Sequence, residues 1–179
     1  MDRLSTAGMT LIECITAISI AAVLACSAPM LSQALEKNRE YSELFEFTRL
    51  LQIARSHAIT ANRVTTICGV TENNACNADW SKPTILIFED RNENHRLDDG
   101  DTLIQSASIS NSNWHWRGSN RPYLRYRNDG SPMEWGRFTR CPPKSDTTQA
   151  PQIVLNRAGR AYSTSIARGQ LELQGLCSD

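Results

Sequence analysis

The stretch Gly8-Met9-Thr10-Leu11-Ile12-Glu13 decides how the rest of this 179-residue chain is read. It joins a short polar leader, Met1 to Gly8, to an apolar run from Met9 to about Ala28 that only Glu13 interrupts. A run of about twenty apolar residues matches the thickness of a bilayer core, and Arg3 on the short side fits a cytoplasmic N-terminus. Two ordinary explanations compete for it. A secretory signal would be cut after the run, where Ala25-Cys26-Ser27-Ala28 supplies small residues, and a plain one-pass anchor would be kept. Neither explains Glu13, because a carboxylate in hydrocarbon is costly unless it finds a partner.

Those six residues resemble the G-F-T-L-I-E box of type IV pilins and type II secretion pseudopilins, with Met9 where that family usually has Phe. The resemblance implies cleavage by prepilin peptidase after Gly8, N-methylation of Met9, and pairing of Glu13 with the free amine of a neighbouring subunit. A buried carboxylate and ammonium together cost far less than either alone, so such a pair can set axial register. Pro29 ends the apolar run, and a proline inside a continuing helix removes one hydrogen bond and bends it.

Beyond it, Leu44, Phe47, Leu51, Ala54 and Ala58 recur at three- and four-residue spacing, which predicts one buried helical face up to about Ala61. Charges of alternating sign cover the rest, with Glu46 and Arg49 placed to pair. Leu50 to Arg63 resembles the L-Q-x-A-R-S-x-A-x-x-x-N stretch of the GspH/FimT family of minor pilins and pseudopilins. Within it, Arg55 and His57 are read as residues that pack helix on domain rather than as ligands.

The rest of the chain predicts short strands: Val64 to Cys68, Thr84 to Phe88, Thr102 to Ile109, Tyr123 to Arg127, Phe138 to Cys141, Gln152 to Leu155, Arg160 to Ser163 and Gln170 to Leu173. Asn128-Asp129-Gly130 and Arg157-Ala158-Gly159 are the clearest turns between them. The expected fold class is α+β, a long bent N-terminal helix packed on an antiparallel β-sheet or sandwich. The expected divisions are a leader peptide over 1–8, a membrane-spanning and filament-core helix over 9–29, an amphipathic helix over 30–62 and a periplasmic β domain over 63–179. Gly130-Ser131-Pro132, Gly136 to Cys141 and Leu155 to Tyr162 also resemble GspH/FimT segments, so the resemblance covers nearly the whole chain. Tyr162 stands where the DNA-binding members carry a second Arg.

Six cysteines fall into two sets. Cys14 and Cys26 lie in the apolar run, whereas Cys68, Cys76, Cys141 and Cys177 lie in the polar remainder, an even number suited to an oxidising compartment. Local closure favours Cys68 with Cys76 and Cys141 with Cys177, one of three possible connectivities. Zinc needs other spacings, and none of the three histidines sits near these cysteines in a ligand pattern. Asp90 to Asp101 has oxygen ligands at alternate positions, as calcium requires. However, His95 takes the sharp-turn position usually held by Gly and Asp101 replaces a bidentate Glu. No metal or cofactor is expected, and the family's similar turn is structural.

Nineteen bases balance nineteen acids, yet the distribution is uneven. Glu72 to Asp101 holds eight acids against three bases, and Arg117 to Arg168 ten bases against three acids. Nine of those ten bases are arginines, which contact phosphate or carboxylate in a fork, with aromatic residues interleaved. Arg157, Arg160, Arg168 and Tyr162 are the candidate contacts for DNA or another subunit, and opposed charge segments favour the subunit. No Ser-His-Asp, Cys-His, His-Glu-x-x-His or phosphate-loop pattern points to an enzyme.

Together these readings imply a minor type IV pilin that primes or caps pilus assembly and so supports adhesion, twitching motility or DNA uptake. A type II secretion pseudopilin of the H type and a DNA-receptor pilin of natural transformation are the alternatives. The implied partners are other minor and major pilins or pseudopilins, prepilin peptidase, the inner membrane and, in the last case, DNA. The implied place is the inner membrane, crossed once, and then the filament.

Overall fold

The computed structural model describes residues 10–70, 73–77, 80, 84–109, 114–117, 121–141, 149–167 and 169, with the backbone alone for 23–34, 36, 37, 40 and 114–117. Gly8, Met9, Arg168, Cys177 and the strand expected at Gln170 to Leu173 lie outside these residues. Helical backbone runs over Leu11–Ala61 (α1), and the bend expected at Pro29 falls where side chains are not described. The strands are β1 (Thr65–Val70), β2 (Cys76–Asn77), β3 (Thr84–Glu89), β4 (Thr102–Ser108), β5 (Trp114–Arg117), β6 (Leu124–Tyr126), β7 (Gly136–Arg140), β8 (Gln149–Leu155) and β9 (Ala161–Ala167). Every pairing among them is antiparallel, so the fold is α+β with a sheet domain.

The chain forms two compact units, Met1–Tyr41 and Ser42–Asp179. In the first, Leu11, Ile12, Ile15, Ile18 and Ile20 are all exposed. Among the described residues no helix is long and apolar enough to cross a membrane. The apolar run expected to do so extends through residues 23–28, whose side chains are not described.

In the second unit the three- and four-residue spacing does what it predicts. Phe47, Leu51, Ala54 and Ala58 are fully buried, joined by Leu50, while Leu44 is only partly covered. The exposed Glu46 and Arg49 pair at 2.8 Å. The helix stops at Asn62, whose φ of 54° is left-handed, a region that Asn enters more readily than most residues. The Arg63 amide donates to the Ala58 carbonyl at 3.2 Å and the Asn62 amide to Ile59 at 3.4 Å, satisfying two carbonyls of the last turn. The Asn that closes the L-Q-x-A-R-S segment is therefore a helix stop.

One sheet has the order β2-β1-β3-β4, with β6 pairing β1 as well, and the other β5-β7-β8-β9. β1 is buried along its whole length because strands flank it on both edges. Strands β2 and β5 are not among those expected: two residues are too few for a period, whereas in β5 Trp114 and Trp116 alternate with His115 and Arg117, a strand signal of only four residues. Phe47 of α1, Trp80 from the β2–β3 connection and Phe138 of β7 meet edge-to-face, with centroids 4.5 to 6.1 Å apart. This triad joins the helix to the second sheet, and the buried Trp80 anchors the β2–β3 connection to the core.

Candidate functional site

Glu13 sits at the start of α1. Its Oε2 accepts hydrogen bonds from the Thr10 amide at 2.8 Å and the Thr10 hydroxyl at 3.0 Å, while Thr10 Oγ1 accepts from the Glu13 amide at 3.4 Å. This is a capping box, two helix-start donors satisfied reciprocally. The signal is legible as Thr-x-x-Glu within the six-residue box, beside the intermolecular role that the pilin resemblance implies for Glu13.

A second concentration of polar groups lies at the other end of the helix. The Arg55 guanidinium donates to the Gly130 carbonyl through Nε at 3.0 Å and to the Ala158 carbonyl through Nη2 at 3.0 Å. Those carbonyls belong to two turns of the same design. The Gly130 amide donates to Arg127 and the Gly159 amide to Asn156, and both glycines have a φ of 77°. A β-carbon on Gly159 would stand 2.0 Å from the Gly130 carbonyl oxygen, so the turns touch backbone to backbone. Asn62 ties the helix end to the first turn by accepting from Asn128 Nδ2 at 2.8 Å. His57 packs likewise, Nδ1 lying 3.2 Å from Thr65 Oγ1 and Nε2 3.6 Å from Glu89. Arg55 and His57 are thus packing residues.

Beside this junction is a pocket of about 470 Å³. Gln52 and Arg55 line it from α1, Tyr126 from β6, Asn156 and Arg160 from the β8–β9 turn, and Tyr162 from β9. The Tyr126 hydroxyl is buried with no hydrogen-bond partner among the described residues, and burial pushes its acidity far below that of an ordinary phenol, so it stays protonated. Arg160 and Tyr162 are exposed at the rim.

The basic segment is less available than its composition implies. Arg125 pairs with the buried Glu134 at 2.8 Å, and Arg140 with the buried Glu43 at 3.1 Å. Arg121 donates to the Tyr123 hydroxyl, and Arg157 stacks over Trp135 at 4.5 Å from the ring centre. Of the four candidate contacts, Arg160 and Tyr162 share the pocket, Arg157 faces Trp135, and Arg168 lies outside the described residues.

A family model described as "Type II transport protein GspH" matches residues 45–159, more than half of the chain. The chain belongs to the GspH family. The type IV minor pilin FimU of Pseudomonas aeruginosa shares its fold: one crystal form is 18% identical over 71% of this chain and 89% of that one, with a TM-score of 0.50. A second crystal form gives 18%, 69%, 91% and 0.48. Among curated proteins none matches by sequence. Family and fold together make the chain a pilin-like subunit, a minor pilin or a pseudopilin.

Within this GspH-type domain, the Asp90 to Asp101 segment is held by its own donors. Asp90 accepts from the amides of Asn94 and His95, Asp98 from the side chains of Asn92 and Asn94, and Asp101 from the amides of Arg91 and Asp98. The bonds from Asn92 and Asn94 hold the Asp98 carboxyl below the usual carboxylate range. A cation would have to displace these N–H groups. Among the described residues no cluster of His, Cys, Asp and Glu is placed to hold a metal.

Cys68 and Cys76 form a disulfide with Cα atoms 5.5 Å apart, joining β1 to β2. Cys141 is disulfide-bonded too, its expected partner Cys177 lying outside the described residues, and Cys14 is a free thiol. Replacing Cys68 and Cys76 together by Ser is expected to cost about 2.5 kcal/mol, the closure entropy of so short a loop. Urea unfolding of the full chain in detergent checks this, and an unchanged midpoint would make the bridge dispensable.

Proposed function

We propose that the chain is a minor type IV pilin that primes or caps pilus assembly, a structural subunit rather than an enzyme. The observation that carries this reading is the apolar surface of α1 in the first unit: Leu11, Ile12, Ile15, Ile18 and Ile20 are each more than half exposed. So much uncovered apolar surface needs a partner, and a single carboxylate, Glu13, lies within it. A bilayer and then a bundle of like helices would cover that surface in turn. In the bundle Glu13 would leave its capping role to pair with a neighbour's amine, after peptidase cleavage at Gly8 and methylation of Met9. The helix over 9–29, bent at Pro29, would be the inner-membrane anchor and then the filament core, with the sheet domain outside. Family membership and the FimU-like fold support this placement.

The type II secretion pseudopilin remains the second reading, favoured by the description of the family model that matches. DNA reception ranks behind both, since Arg125 and Arg140 are paired with Glu134 and Glu43 within the domain. Adhesion, twitching motility or DNA uptake would follow from the filament rather than from chemistry on this chain.

Mass spectrometry of the processed protein is expected to find an N-terminus at methylated Met9, and cleavage after Ala28 would refute the reading. Glu13→Ala is expected to leave membrane insertion intact while lowering the amount in sheared filaments about tenfold or more, because one member of a buried ion pair is gone. Unchanged incorporation would remove Glu13 from the mechanism.

A further inference from the structure

The pocket beside the Arg55 junction is built from donors. Arg55 and Arg160 carry full positive charge, Gln52 and Asn156 carry side-chain amides, and Tyr126 and Tyr162 carry hydroxyls. Among the described residues no carboxylate lines it, and neither arginine has an ion-pair partner there. The two carbonyls that Arg55 holds satisfy hydrogen bonds without neutralising its charge. Among the described residues the Arg160 guanidinium makes no hydrogen bond, although its backbone amide is fixed by Asn156 Oδ1 at 3.0 Å. The Tyr126 hydroxyl, fully buried, has no acceptor among the described residues. A cation in a recess is poorly screened.

We propose that this pocket receives the carboxylate side chain of one Asp or Glu from an adjoining pilin-like subunit. A carboxylate supplies the acceptor that the Arg160 guanidinium lacks, and its two oxygens fit the fork of a guanidinium. The exposed ring of Tyr162 at the rim excludes water from the pair, as neutral contacts around an interface hot spot do. A nucleic-acid strand is the poorer occupant. Its phosphates need a row of cations, and two arginines of the basic segment, Arg125 and Arg140, are neutralised by Glu134 and Glu43. The inference rests on the pilin reading and deepens it by naming the chemistry of the partner.

The test uses the full chain in the cells that produce it, with the native copy deleted and a benzophenone amino acid in place of Gln52, an exposed position at the pocket edge. After irradiation, the sheared filament fraction is digested and the cross-linked peptide is sequenced by mass spectrometry. The expected product joins position 52 to a peptide of a pilin-like subunit that carries an Asp or Glu beside the cross-link. Arg160→Glu is expected to lower its yield about tenfold or more, and Lys in place of the partner's acid to restore it. Four outcomes overturn the proposal while leaving the pilin reading intact: a cross-link to DNA alone, a peptide without an acid, a yield indifferent to Arg160→Glu, or no cross-link although the chain is in the filament. Absence of the chain from the filament fraction removes the pilin reading, and the proposal falls with it.

Discussion

Gly159→Ala is expected to destabilise the domain by about 3–5 kcal/mol, enough to unfold much of it at physiological temperature. Two causes add. A φ of 77° places any β-carbon in a left-handed conformation that costs about 1–2 kcal/mol. That β-carbon would also stand 2.0 Å from the Gly130 carbonyl oxygen, so one of the two turns must move. Neither can move freely, since Arg55 holds Gly130 and Ala158 together and Asn156 Oδ1 fixes the amides of Ala158 and Arg160. Gly100→Ala serves as the control, because its added carbon meets nothing nearer than Asp98 Oδ1 at 3.4 Å. Urea unfolding of the full chain in detergent checks both. A loss below about 1 kcal/mol for Gly159→Ala would show that the paired turns do not bear on each other as described.

Phe47→Ala is expected to cost a similar amount, about 3–5 kcal/mol. Phe47 is fully buried and touches both Trp80 and Phe138, so its removal leaves a void where the helix, the β2–β3 connection and the second sheet meet. Trp80 fluorescence reports the same site and is expected to lose its native signature with the fold. Phe45, two positions away on the same helix, is 71% exposed, and Phe45→Ala is expected to change stability by less than about 0.5 kcal/mol. Equal costs for the two would mean that the helix does not present the face assigned to the core. Since an exposed Phe in this subunit suits contact with another chain, Phe45→Ala is the variant in which stability and assembly are expected to part.

Local pattern served well where neighbours along the chain decide the outcome. The buried face at Phe47, Leu51, Ala54 and Ala58 and the strands around Ile67, Ile85, Leu124, Phe138 and Ile153 were legible, because side-chain periodicity follows from backbone geometry alone. Boundaries moved by a few residues: β8 begins at Gln149 instead of Gln152 and β9 runs to Ala167 instead of Ser163. Those additions are set by pairing across the sheet, Gln149 facing Ala167 and Pro151 facing Ser165. The Cys68–Cys76 bridge was legible from its short separation, and the Thr10–Glu13 capping box is carried by the same residues as the pilin-like box.

By itself the sequence determined the class of the chain: an apolar start bearing one acid, an amphipathic helix stopped at Asn62, and a run of short antiparallel strands. Each is settled by residues within a turn or two of one another. Only the tertiary structure decided which charges and hydroxyls remain to be used. Arg55 reaches carbonyls 75 and 103 residues away, Arg140 finds Glu43 across the domain, and Arg157 lies over Trp135. A count of ten bases cannot reveal which of them are paired with acids and which meet neutral groups, because that depends on distances of a few ångströms between remote segments, and electrostatic interaction depends on distance and burial rather than on composition. Among the described residues, the groups left for use include those of an acid-free pocket with Arg160 at its rim.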